Sequence, residues 1–190
     1  MAVRADGAAA RIMAAFEELL RETDYDKITV ADICRRAGVS RKTLYTYFEG
    51  KEGVLRRIVY EDVAVPVRTL MDYFSIGGRT SGGKILVRQI LETIYAHKDF
   101  YSLAVVQGRI GIIGQVLRDV FTTASIDLFR GEEGDCSEKF LYAARFTSGA
   151  YVEVIKEWLR SGMTISPEKM TEWLFEFSSS GNKILLDPMQ

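Results

Sequence analysis

Residues 29–48 read TVADICRRAGVSRKTLYTYF, two short helices around a glycine, the second of them basic. Thr29 is placed to cap the first helix, and Asp32, three residues on, puts a carboxylate in its first turn, a capping box with Asp in the Glu/Gln position. Val30, Ile33 and Ala37 then share a face at helical spacing while Arg35 and Arg36 point away from it. Gly38 follows where a helix end needs positive φ, a conformation open to glycine because it has no Cβ. Val39 fills the corner and Ser40 caps the next helix. That helix exposes Arg41, Lys42 and Thr43 in its first turn and buries Leu44 and Phe48, four residues apart. This is the pattern of a helix-turn-helix.

Charge supports the pattern locally. From Arg35 to Arg57 there are seven basic residues against two acidic ones, in a chain whose formal net charge is -1. A basic patch on a near-neutral chain points to a nucleic-acid site of limited extent. Tyr45 and Tyr47 place phenol hydroxyls on the flanks of the second helix, and Lys51 opens the next one; all three are placed to reach phosphates.

Residues 28–55, ITVADICRRAGVSRKTLYTYFEGKEGVL, resemble the N-terminal DNA-binding domain of the TetR family of bacterial transcriptional regulators, through AGVS, TLYTYF and GKEGVL in turn. The resemblance implies that residues 40–48 form the recognition helix, with Arg41, Lys42 and Thr43 at or near base edges. It implies phosphate contacts for Thr29, Ser40, Tyr45, Tyr47 and Lys51. Family members often carry Gly where this chain has Lys42 and His where it has Tyr47, so the operator sequence stays open. The bacterial cytoplasm is the location the resemblance implies.

Outward from that segment the chain reads as helix throughout. Residues 1–7 are expected to fray. Ala8 to Thr23 carries Ile12, Phe16, Leu19 and Leu20 on one face and braces the pair, with Tyr25 and Ile28 closing its small core. A helix from Lys51 carries Val54, Leu55, Ile58 and Val63, and Pro66 is expected to end or kink it. Further helices are expected over 67–74, 84–97, 99–106, 110–129, 137–160 and 166–177, the last announced by Ser166 and Pro167. The glycines at 108, 111 and 114 weaken the fourth of these. The fold class is therefore all-α: an N-terminal three-helix helix-turn-helix domain, residues 1–50, and a larger C-terminal helical ligand-binding and dimerisation domain, residues 51–190.

With 190 residues and 47% hydrophobic content the chain can bury a large core without staples. Two cysteines, Cys34 and Cys136, suggest no disulfide framework or CxxC site. No signal peptide or membrane-length apolar run is evident, so a soluble intracellular protein is expected. No cofactor or metal is expected, and no nucleophile with a base, carboxylate dyad or metal cluster suggests an enzyme. Residues 78–84, GRTSGGK, match most of a P-loop but place Ile85 where Ser or Thr belongs, so they read as a loop. His97, the one histidine, lies at a helix end where its charge would be favourable. Glu132, Glu133, Asp135 and Glu138 lack the spacing of a calcium loop.

Two sites are expected in the body. Phe146, Gly149, Tyr151, Ile155, Trp158, Met170, Trp173 and Phe177 make the last two long helices rich in large apolar groups. The resemblance implies that such helices from two copies form a four-helix bundle, and paired half-sites also call for a homodimer. Tyr60, Phe74, Tyr95, Phe100, Tyr101, Ile113, Phe121 and Tyr142 supply rings and hydroxyls suited to a small apolar or aromatic effector. The function these features imply is a DNA-binding regulator of a palindromic double-stranded operator, a ligand-responsive repressor. The alternative is a DNA-binding regulator signalled by a protein partner, as repressor or activator, with no small-molecule pocket.

Overall fold

In the computed structural model residues 7–77, 82–129 and 138–186 are described, with side chains over 7–71, 82–127 and 138–178. Among these residues the chain forms nine α-helices, one 3-10 turn and no strand. Residues 1–6 of the start expected to fray, residues 78–81 of the P-loop-like stretch, and Glu132, Glu133, Asp135 and Cys136 of the expected acidic loop lie outside the described residues.

The first three helices, α1 (Gly7–Glu22), α2 (Val30–Ala37) and α3 (Arg41–Tyr47), pack around one another. α1 buries Ile12, Ala15, Phe16 and Leu20, and Phe16 meets the buried Tyr25 ring edge-on at 6.1 Å. Tyr25 belongs to the 3-10 turn Tyr25–Lys27 that joins α1 to α2. Ile33 and Leu44, both fully buried, carry α2 and α3 into the same core.

α4 (Gly50–Gly77) leads from this head into the body. Pro66 does not end it: of the expected end or kink, the end is corrected, since the helix runs through the proline. Val63, Ala64 and Val67 are buried on either side of Pro66, and packing of that face outweighs the one backbone hydrogen bond a proline removes.

The body comprises α5 (Gly82–Ala96), α6 (Lys98–Val106), α7 (Ile110–Phe129), α8 (Glu138–Arg160) and α9 (Pro167–Leu186). α7 packs on α4 and α8, α5 on α4 and α9, and α6 lies against α1 and α8. The glycines do not break α7. A Cβ at Gly114 would stand 2.9 Å from Cδ of Lys156 on α8, so that lysine side chain would have to shift to admit one.

The body settles which expected interface residues belong to the subunit's own core. Tyr151, Ile155, Trp158 and Met170 are buried within the single chain, contrary to a place on a partner-facing surface. Tyr151 meets Phe121 edge-on at 5.8 Å and its hydroxyl accepts from Ser178 at 3.0 Å. Trp158 stacks on Tyr95 at 6.3 Å and donates its indole N–H to the Ile165 carbonyl at 2.8 Å. Two helices flanked by α5, α6 and α7 have inward faces to fill, and the largest rings fill them. Phe146, 79% exposed, and Phe177, 39% exposed, remain on the outside, with Gly149 and Trp173 half-buried between.

Candidate DNA-binding site

Local chemistry builds the reading unit as its residues suggest. The Thr29 hydroxyl accepts the Asp32 amide at 3.2 Å while the Asp32 carboxylate accepts the Thr29 amide at 3.1 Å, completing the capping box. Those hydrogen bonds from Thr29 hold the Asp32 carboxyl below its ordinary pKa, with Arg35 adding a smaller share. A depressed carboxyl stabilises the fold above its unfolded pKa, and the effect is lost as pH falls through the folded value. Gly38 adopts φ 64°, and the Val39 amide reaches back to the Cys34 carbonyl at 3.0 Å to close the helix end. The Ser40 hydroxyl then accepts the Thr43 amide at 3.0 Å and starts α3.

The basic residues divide sharply. Arg35 pairs with Asp32 at 2.7 Å, Arg56 with Glu52 at 2.9 Å and Arg57 with Glu61 at 2.7 Å. Arg36 turns back onto α1, pairing with Glu22 at 2.6 Å and Glu18 at 3.1 Å. Those hydrogen bonds raise the Arg36 pKa and lower that of Glu22. Arg41 and Lys42 are exposed in the first turn of α3, and their side chains form no ion pair or hydrogen bond among the described residues. Two cations at a helix N-terminus, unpaired and set against the helix dipole, are stabilised once an anion or a base acceptor arrives. Tyr45, 60% exposed, stands on the same outer surface, and Tyr47 is partly exposed beside the buried Phe48.

Lys51 is the exception. Its ammonium donates to the carbonyls of Tyr25 at 2.7 Å, Ile28 at 2.9 Å and Asp26 at 3.3 Å, and lies 4.5 Å from the Tyr25 ring centroid. Three donors meet three acceptors, which leaves none free for the phosphate contact expected of this residue. It ties the 3-10 turn to the start of α4. Replacing Lys51 by Met is expected to cost about 1.5 to 3 kcal/mol of stability, the range for hydrogen bonds to a charged group. A chemical denaturation series checks this. Unchanged stability with a salt slope of DNA binding shallower by about one unit would instead place Lys51 on a phosphate.

The residues expected to bind an effector are not brought together. Phe100, Tyr101, Ile113 and Phe121 are buried core. Tyr101 donates to Asp62 at 3.3 Å, and Tyr95 is half covered by Trp158. Tyr142 is 63% exposed on the outer face of α8, and the Phe74 side chain lies outside the described residues. Among the described side chains of the set, only Tyr60 lines a cleft of about 400 Å³ between α4 and α7. Its walls are Tyr60, Ala64, Val67, Arg68 and Met71 on α4 and Asp119, Val120, Thr123, Ala124 and Asp127 on α7. Arg68 donates to the Tyr60 hydroxyl at 2.8 Å at its rim. The missed residues had a signal: positions 60, 64, 67, 68 and 71 and positions 120, 124 and 127 are helical stripes whose members include the small Ala64 and Ala124. Small residues on a buried stripe leave room that rings would fill.

A second cavity of about 200 Å³ lies on the far side of α7, walled by Leu86, Val87, Ile90, Phe121, Tyr151 and Phe175, and Ala124 borders both. His97 begins α6 rather than ending α5, its Nδ1 2.9 Å from Asp62. It borders a small charged recess with Glu17, Arg21 and Asp99. Burial raises the Glu17 pKa there. Among the described residues no His, Cys, Asp and Glu side chains are grouped to hold a metal ion, and no helix is long and apolar enough to cross a membrane.

Comparison with known proteins agrees with this geometry. Residues 12–58 match the model of "Bacterial regulatory proteins, tetR family", and residues 85–180 match "Transcriptional regulator C-terminal region". An uncharacterized HTH-type transcriptional regulator, YxbF of Bacillus subtilis, is 24% identical over 176 residues, which is 92% of this chain and 45% of that protein. The dhaKLM operon transcriptional activator DhaS of Lactococcus lactis is 35% identical over 63 residues, 33% of this chain and 34% of that protein. The matches thus span less than half the length of these curated relatives. The solved structure of the regulator FadR from Bacillus subtilis in complex with stearoyl-CoA shares the fold, with TM-score 0.61 and 16% identity over 90% of this chain and 98% of that one.

Proposed function

This chain belongs to the tetR family of bacterial regulatory proteins, DNA-binding regulators of transcription, and we propose that it works as a homodimeric, ligand-responsive repressor. In this reading residues 1–50 form the reading head, and α3 enters the major groove by its N-terminal end. Arg41, Lys42 and Thr43 meet base edges, while Thr29, Ser40, Tyr45 and Tyr47 grip the backbone. The observation that carries it is the pair of cations, Arg41 and Lys42, whose side chains have no partner among the described residues, on a capped helix whose neighbouring cations are all engaged. Selection of bound duplexes from a random pool is expected to yield two half-sites about 34 to 36 Å apart. A pool that emerges unenriched overturns the reading. Repression is tested by a reporter placed behind the selected operator; expression that rises with the protein would make it an activator, as DhaS is named.

The dimer face proposed is the outer surface of α8, where Tyr142, Phe146 and Ala150 recur every four residues, continued by Phe177 on α9. Three large rings left in water are the kind of exposure that subunit contact removes. Gly149 is a poor probe of this face, since a carboxylate there would stand beside the Arg118 guanidinium, whose Nη1 lies 3.6 Å from the Cβ position. Phe146→Asp places the charge in the stripe. Sedimentation is expected to show a monomer with operator affinity lost; a variant that stays dimeric would remove α8 from the interface.

The ligand proposed is a single-chain amphiphile. Its polar end would sit in the α4–α7 cleft by Tyr60, Arg68 and Thr123, and its tail would pass Ala124 into the apolar cavity behind α7. The stearoyl-CoA complex of FadR is consistent with a long chain in this fold. Thermal shift with straight-chain alcohols of increasing length, followed by operator release, is the test. Stabilisation should grow with length and be cut back by Ala124→Leu. A ligand affects DNA only through unequal affinity for two head spacings, so stabilisers that leave operator affinity unchanged would favour a protein partner as the signal.

A further inference from the structure

The reading head joins the body through one stretch of chain, the start of α4. A single helix fixes where the head sits along its axis but leaves twist about that axis to other contacts. The turn between α6 and α7 makes such a contact away from the axis. Gln107, the C-cap residue of α6, reaches the head with its side-chain amide: the oxygen accepts the Tyr25 backbone N–H and the nitrogen donates to the Leu20 carbonyl at 3.4 Å. Leu20 lies in the last turn of α1 and Tyr25 begins the 3-10 turn, so one amide serves backbone groups that the end of one helix and the start of the turn leave over. Arg109 reinforces it. Its guanidinium lies 4.5 Å from the Tyr25 ring centroid and 3.4 Å from the Asp26 carboxylate, and its Nε donates to the Gln107 carbonyl at 2.8 Å. Between them sits Gly108 at φ 77°, whose amide bonds the Val105 carbonyl at 2.9 Å and sets the sharp corner that delivers both side chains.

The gripped turn is the one that Lys51 holds from the α4 side, and it ends two residues before Thr29, the cap of α2. Its position therefore sets where α2 starts and, through the Gly38 corner, where α3 points. We propose that Gln107 and Arg109 are positioning residues for DNA recognition: they lock the twist of the head against the body and so define the half-site spacing the protein accepts. The inference rests on the two-headed reading above for its DNA consequence, and on the latch alone for its mechanical one.

Gln107→Met keeps length and volume and removes both hydrogen bonds. Amide exchange of the full chain is expected to quicken about three- to tenfold across residues 20–33, the loss corresponding to one or two net hydrogen bonds, with α8 and α9 unchanged. Selection from duplexes whose half-sites are separated by every spacer length should return one spacing for the parent and several for the variant, with the half-site sequence preserved. Arg109→Met should give the same pattern more weakly and stands in if Gln107→Met fails to fold. Exchange unchanged over 20–33, or faster throughout the chain alike, overturns the latch. A parent with no spacing preference defeats the two-headed reading instead, while exchange still decides the latch.

Discussion

Alanine at both Arg41 and Lys42 is expected to weaken operator binding by about 2 to 6 kcal/mol, from about 1 to 3 kcal/mol for each base contact, with adjacent positions free to depart from additivity. The loss should be accompanied by relaxed sequence preference, since base contacts specify and phosphate contacts position. Neither side chain has a partner to lose among the described residues, so thermal stability should not fall with affinity. Arg36→Ala offers the contrast. It also removes a cation from the helix pair, but one held by Glu18 and Glu22, so its effect is expected on the packing of α2 against α1 rather than on sequence preference. Fluorescence anisotropy on the selected operator at two salt concentrations separates the cases. A double variant that binds as the parent does removes α3's first turn from the DNA interface.

Trp158→Ala is expected to lower folding stability by about 3 to 5 kcal/mol, the range for deleting a large buried ring. The side chain is 2% exposed, stacked on Tyr95 and hydrogen-bonded to Ile165, so its loss opens a cavity and orphans a carbonyl. Urea denaturation measures the cost. Sedimentation of the folded variant should match the parent, because the ring faces the subunit's own core. Dissociation with little loss of stability would move Trp158 to the partner-facing surface.

The contrast between these two sites shows which features the chain sequence carries. Thr29, Asp32, Gly38 and Ser40 act through hydrogen bonds and backbone conformations spanning three to five residues, and such effects are written in local order. The helix-turn-helix, the all-α class and the exposed first turn of α3 were legible for that reason. Long apolar stripes likewise announced α5, α8 and α9. Pro66 does not end its helix because a local rule met a tertiary one: a helix buried on both sides of a proline continues past it.

Sequence alone therefore settled the element types and the caps of α2 and α3, since each depends on neighbours along the chain. Tertiary structure alone decided which like residues share a role. Seven cations look alike between 35 and 57, yet only contacts with α1, α4 and the 3-10 turn separate Arg41 and Lys42 from Arg36 and Lys51. Rings on α8 share one periodicity, but whether a ring is core or surface depends on what α5, α6 and α7 place against it. The grip of Gln107 on Leu20 and Tyr25 spans more than eighty positions of chain. No periodicity encodes a contact of that separation, because it exists only once packing has brought the α6–α7 corner to the end of α1.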